Sequence, residues 1–343
     1  MDLGRRIDVL DYLRGFALLG IILVNIGPLL LVKVPETASH DATYWRFLYL
    51  FVEGRFYTIF TFLFGVGFYI FITRANTKGK NGFLLFLRRA AILFLIGLVH
   101  VRFHPGEALT VYAICGLFLL PFYKVHKLIN LVAGLILLVV FGMMSFKLFI
   151  VAPVMLLGIA AGQFRVFEAI PKNIRKIAVF TGVMLVLSVA GLIYQYKYAP
   201  FVFGTVTEVE YQRTQQFIDI GITIGPIVSA VYAGTLILLL QIPILQTLLS
   251  PLKSYGRMAL SNYILQTAFI YLAGASFDLF GNITYLHTLY VCISIILVGL
   301  IFSIVWLRYF QYGPLEWLWR AATYLTLPPM RRVKAPEYNM TQG

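Results

Sequence analysis

Charge is scarce in this chain. Of 343 residues only 12% are Asp, Glu, Lys or Arg, where soluble domains carry about 25%. Together with 60% hydrophobic residues and a mean hydropathy of +0.85, that scarcity excludes a soluble globular core and points to a polytopic membrane protein. Acids are scarcer still, 14 against 28 Lys and Arg, for a net charge of +14. The basic residues punctuate the apolar runs and form no single patch. Nucleic acid is therefore excluded as a partner, and the lipid bilayer is the implied one. Cysteine is nearly absent. Cys115 and Cys292 each lie inside an apolar run and read as small buried thiols, which excludes a disulfide framework. No Cys/His cluster has metal-ligand spacing, so no metal is expected. The first apolar run has no signal-peptide cleavage pattern after it and reads as a retained span. No internal repeat stands out, which disfavours inverted-repeat transporters.

What is present is a series of apolar stretches, at about residues 13–32, 47–72, 86–103, 107–123, 127–145, 147–164, 175–196, 219–243, 258–277 and 284–307. They predict an all-α transmembrane bundle of about ten spans. The longest outer connection falls at about 197–218. All but seven of the 28 basic residues fall at the two ends or in even-numbered connections; the seven are Lys33, Arg46, Arg55, Arg102, Lys147, Lys197 and Arg213. By the positive-inside rule both termini face the cytoplasm.

Polar groups gather at a few places along this pattern. Asp11 and Arg14 are three apart at the threshold of the first run and share a helical face. Ionisable groups at such depth are paired or functional. Glu53 and Arg55 open the second run two apart, so different partners are expected for them. Gly65 and Gly67, further along, read as packing positions for another helix. The third run ends in His100, Arg102, His104 and Glu107. Histidine suits proton transfer near neutrality, and a carboxylate on one ring nitrogen orients it. His100 lies deepest; His104, before Pro105, reads as a loop residue. Glu53, Arg55, His100 and Glu107 all fall at outer helix ends and predict a polar chamber there, with His40 as a weaker candidate. His126 and His287 read as interfacial. On the cytoplasmic side Arg257, Ser261, Asn262 and Gln266 open a late helix, with helix-to-helix hydrogen bonding as the plain alternative for the two amides. Pro314 to Arg320 reads as an amphipathic interfacial helix.

These segments together resemble the YeiB-like bacterial membrane proteins. The resemblance rests on Leu10-Asp11-Tyr12-Leu13-Arg14-Gly15, on Phe60 to Phe68, and on Gly97, Leu98, His100, Glu107, Tyr112, Ala113 and Gly116. It extends to Gly256 to Tyr263 and Gly313 to Arg320, which resemble the family's C-terminal domain of unknown function 418. Glu107 stands where the family's usual acid is aspartate. The family is in turn similar to transmembrane acyltransferases that include heparan-alpha-glucosaminide N-acetyltransferase. That resemblance implies one integral membrane domain over 1–343. Residues 1–200 would be acyltransferase-like helices, 201–330 the C-terminal family region with its interfacial helix, and 331–343 a polar tail.

It further implies an acyl group moved from cytoplasmic acyl-CoA to a hydroxyl or amine of a small-molecule, glycan or lipid-linked acceptor at the outer face of a bacterial cell membrane. Asp11, Arg14, Arg257 and Asn262 would serve the CoA end. His100, Glu107 and Glu53 would perform proton transfer, and Arg55, Arg102 and His40 would meet the acceptor. A transporter of an organic anion or lipid, using the same charges as gates and a proton relay, is the alternative. A homodimer stays open.

Overall fold

The computed structural model describes residues 6–204 and 206–332 of the chain. The polar tail expected over 331–343 lies, from 333 on, outside the described residues. The chain forms α1 (Asp8–Leu29), α2 (His40–Phe51), α3 (Arg55–Thr77) and α4 (Gly82–His100), then the short α5 (Leu109–Phe118) and a 3-10 turn at Leu120–Tyr123. Next come α6 (Lys127–Met143), α7 (Val151–Gln163), α8 (Ile170–Tyr196) and α9 (Glu208–Leu239). Two short helices, α10 (Pro243–Leu248) and α11 (Ser250–Arg257), lead into α12 (Ala259–Ser276), α13 (Tyr285–Tyr309) and α14 (Pro314–Tyr324).

Each apolar run falls mainly on helix, in one piece or two. Among the described residues, six segments are long and apolar enough to cross a membrane: Asp8–Leu29, His40–Thr77, Gly82–His100, Ile170–Tyr196, Glu208–Leu239 and Tyr285–Tyr309. α5, α6 and α7 are apolar but shorter, at 10, 17 and 13 residues, against the roughly 20 a span requires. α12, at 18 residues, carries several buried polar side chains. The run read as one span over 47–72 is broken: Gly54 adopts a left-handed backbone, φ 76°, which ends α2 and launches α3. The connection read over 197–218 is cut short by α9, whose start at Glu208 is fixed by a capping box between Thr207 and Glu210.

Local chemistry sets the other starts. The side chains of Ser39 and Asn81 accept from the Ala42 and Leu84 amides and cap α2 and α4. Pro314 opens α14, as the sequence predicts.

Two glycine crossings set the core. A Cβ on Gly15 would overlap the Leu252 carbonyl, and one on Gly256 would overlap the Asp11 carbonyl, so α1 and α11 meet backbone to backbone. Gly65 and Gly158 do the same for α3 and α7. Gly67 does not share that crossing; its nearest neighbour is the Arg14 guanidinium. Around this core, α6, α8 and α13 expose large apolar side chains such as Val139, Val186 and Ile301, a surface suited to hydrocarbon. The starts of α1, α4 and α12 and the ends of α3, α11 and α13 gather at one end of the bundle, the near end; the starts of α3 and α5 and the end of α4 lie toward the far end.

Candidate functional site

A cavity of about 1010 Å³ is lined by residues from both ends of the bundle. At the near end, the first turns of α1 place Asp11 on its wall, 1% exposed. The Asp11 carboxylate accepts from the Arg6 Nε and from Arg6 Nη2 at 3.0 Å, and from Arg14 Nη1 at 3.1 Å. Asp11 thus fixes two guanidinium groups by charge-assisted bonds, the i,i+3 spacing supplying the second. Arg14 keeps 29% of its side chain open.

The same end collects further cations. Arg74, Lys78 and Lys80 come from the end of α3 and the turn after it, and Arg89 from α4. Arg257 comes from α11, where it donates to the Gln311 carbonyl at 3.2 Å, and Arg320 from α14. Arg89 stacks on Trp319 of α14, 3.5 Å from the ring centroid, while the Trp319 indole donates to the Arg89 carbonyl at 2.8 Å. α14 is therefore docked as part of the wall. Its Glu316 accepts from the Leu260 and Ser261 amides and, at 2.6 Å, from Ser261 Oγ, which ties α14 to the start of α12. Burial pushes the Glu316 carboxyl up, and these hydrogen bonds pull it back only in part. With Arg6 and Arg14, eight cations face two carboxylates, Asp11 and Glu316, among the described residues of the cavity wall at this end. Such an excess in a recess repels itself and favours a polyanionic ligand.

The middle of the cavity is aromatic, with Tyr57, Phe60, Phe64, Tyr112 and Tyr263 on its wall. The Tyr112 hydroxyl is held 2.8 Å from Thr61 Oγ1. Glu107, 3% exposed, is the carboxylate of this region. It accepts from the Leu109 and Thr110 amides at 2.7 and 2.8 Å and from Thr110 Oγ1 at 2.5 Å, so it caps the start of α5. Burial alone would raise its carboxyl, but its contacts with His100, Thr110 and Leu109 outweigh burial and hold it below the usual range.

His100 stands one layer behind this wall, 4% exposed. Its Nδ1 lies 3.8 Å from Glu107 Oε2, and its Nε2 lies 3.0 Å from Thr267 Oγ1 of α12. The pairing of His100 with Glu107 is as the sequence reading has it; direct access of His100 to the cavity is not. His104, read as a loop residue, is buried and places Nδ1 2.9 Å from the same Thr267 oxygen. Burial and the neighbouring His100 lower its pKa to about 4.

The other candidates separate. Glu53 pairs with Lys147 at 2.6 Å on the far rim and has no contact with His100. Arg55, 1% exposed, donates to the Glu53 and Gly221 carbonyls and to Gln195 Oε1 at 2.5, 3.1 and 3.0 Å, clamping α3 to α8 and α9 away from the cavity. Arg102 and His40 are exposed and off the cavity wall. Asn262 donates to the Tyr255 carbonyl and Ser303 Oγ, both at 2.9 Å; it joins helices and does not line the cavity. Its amide needed burial-compatible partners, and two neighbouring helices supply them.

Sequence reasoning missed Thr267, the burial of His104, and Arg89 and Lys147 as wall residues. The i,i+4 spacing of His100 and His104, one helical turn, was an available signal. Thr267 carries none, because its contacts cross 167 and 163 positions of chain. Among the described residues no group of three or more His, Cys, Asp or Glu is arranged to hold a metal.

Comparison with known proteins places this geometry among relatives without assigned chemistry. Residues 161–326 match the family described as "Protein of unknown function (DUF418)". An uncharacterized 39.9 kDa protein from the amylase 3′ region of Bacillus acidopullulyticus is 57% identical, over 94% of this chain and 95% of the relative. The uncharacterized protein YxaH of Bacillus subtilis (strain 168) is 27% identical, over 96% and 97% respectively. The uncharacterized protein YeiB of Escherichia coli (strain K12) is 26% identical, over 93% and 97%. No solved structure matches the chain.

Proposed function

The chain belongs to the YeiB-like DUF418 family of membrane proteins, and from that premise we propose that it is an acyl-CoA-dependent acyltransferase of the bacterial plasma membrane, its near end and both termini cytoplasmic. The observation that carries this reading is the polarity of the cavity: among the described wall residues, eight cations against two carboxylates at one end, an aromatic middle, and Glu107 backed by His100 beyond it. Arg14, held by Asp11, and Arg257 bind donor phosphates. The aromatic middle accepts the acyl-pantetheine arm. Glu107, with His100 behind it, draws the proton from an acceptor hydroxyl or amine as that atom attacks the thioester carbonyl and the CoA thiolate leaves. Lys147 and Glu53 mark the far rim, through which a glycan, lipid-linked or small-molecule acceptor enters.

Release of free thiol from acyl-CoA by purified protein in detergent, with a covalent acyl product, is the expected result. Flux of an organic anion or lipid through proteoliposomes with no covalent product would replace this reading with a transporter, which the reach of the cavity toward both ends also favours. A cysteine placed near Lys78 should label from the cytoplasmic side; labelling only from outside would invert the topology.

A further inference from the structure

We propose that Thr267 joins His100 and His104 into a proton relay leading from the cavity wall to the turn after α4. The Thr267 hydroxyl touches two imidazole nitrogens, His100 Nε2 at 3.0 Å and His104 Nδ1 at 2.9 Å. One end of the chain is Glu107 on the cavity wall, 3.8 Å from His100 Nδ1, a buried nitrogen with no hydrogen bond. The other end is His104, whose neighbours Phe103, Pro105 and Gly106 are exposed. The Tyr263 ring packs on both imidazoles, at centroid distances of 5.1 and 5.8 Å, and screens them from the cavity so that Glu107 is their point of access.

A hydroxyl has one hydrogen, so it donates to one nitrogen and accepts from the other. In one orientation His100 Nε2–H donates to Oγ1 and the Thr267 hydroxyl donates to His104 Nδ1. A proton arriving at His100 Nδ1 then moves the Nε2 hydrogen onto Oγ1. The hydroxyl hydrogen passes to His104 Nδ1, and His104 releases its Nε2 hydrogen to water. One proton enters, one leaves, and Thr267 is unchanged. The reversed orientation carries a proton the other way. The relay serves acyl transfer or transport alike and does not depend on which of them the cavity performs.

The geometry makes a sharp demand. The two rings meet Thr267 through unlike nitrogens, so a donor–acceptor pair requires both rings to carry the same tautomer: both Nε2–H or both Nδ1–H. The test uses full-length 15N-histidine-labelled protein in nanodiscs with His40, His126 and His287, all exposed, replaced by Gln. Nitrogen NMR near neutral pH should show matching tautomers at His100 and His104. Opposite tautomers would mean that both nitrogens donate into Oγ1, or both compete for one hydrogen, and would overturn the relay. Thr267→Ser should keep the matched pattern. Thr267→Val, of equal shape without the hydroxyl, should lose it; unchanged ring signals in that variant would show that the hydroxyl is no link.

Discussion

The first turns of α1 and the segment that leads into α3 hold the same ingredients, an acid and an arginine at the threshold of an apolar helix, with opposite outcomes. Asp11 and Arg14 are three apart within one helix, so the side chains meet and Arg14 is left open to the cavity. Glu53 and Arg55 are two apart across the Gly54 break. Their side chains diverge, Glu53 to Lys147 and Arg55 into the protein, where backbone carbonyls and Gln195 take the place of a carboxylate. Spacing and not composition separates an arginine left open to the cavity from a structural one.

That comparison can be broken most forcefully at Arg55. Arg55→Met leaves three acceptors, two of them buried, without their donor, and orphaned buried groups cost about 1–3 kcal/mol each. The expected result is a thermal unfolding temperature far below wild type, or no folded protein in detergent. Arg55→Lys should fare little better, since an ammonium cannot fork to the same acceptors. A stable Arg55→Met protein would contradict the structural assignment.

Arg14→Ala should be the reverse case: the fold survives and the ligand is lost. Removing one hydrogen bond to a charged partner, about 1.5–3 kcal/mol, corresponds to CoA binding weaker by roughly 10- to 100-fold in titration calorimetry. Unchanged affinity in a folded protein would remove Arg14 from the donor site.

Salt sharpens the contrast with no mutation. Raising ionic strength from about 0.1 to 1 M shortens the Debye length from about 10 to 3 Å. CoA affinity should fall steeply along that series while the unfolding temperature, carried by the buried Arg55 cluster, moves little.

A smaller effect comes from a buried base that, unlike arginine, can surrender its charge. An unfolded histidine takes up its proton near pH 6.5, whereas His104 resists to about 4. The unfolded state therefore binds more protons across that window, so stability should decline as pH falls from about 6.5 toward 4. His104→Asn should flatten that stretch of an unfolding-temperature profile, and an unaltered slope would argue that His104 is not held neutral.

The helices were legible because apolar runs of about 20 residues have few alternatives. The break at Gly54 was not, since one left-handed residue leaves no mark on hydropathy. Asp11 with Arg14 and His100 with Glu107 were legible because helix spacing or a short turn joins them. The cation end was only half visible: Arg89 and Arg320 reach it because α14 folds back onto α4, a contact 230 positions long at Trp319. Arg102 and His40 misled because a shared depth along the membrane normal says nothing about direction around the bundle.

The glycine crossing of α1 on α11 also dictates when the site can exist during synthesis. The cation end draws on residues 6–14 and on 256–328, so α1 waits for helices made far later in the chain. Until α11 docks against Gly15 and α14 folds back, the Asp11 cluster has one wall missing. A chain cut before α11 would therefore insert its early helices yet leave the cation-lined recess open, and the recess would close only as α14 seats.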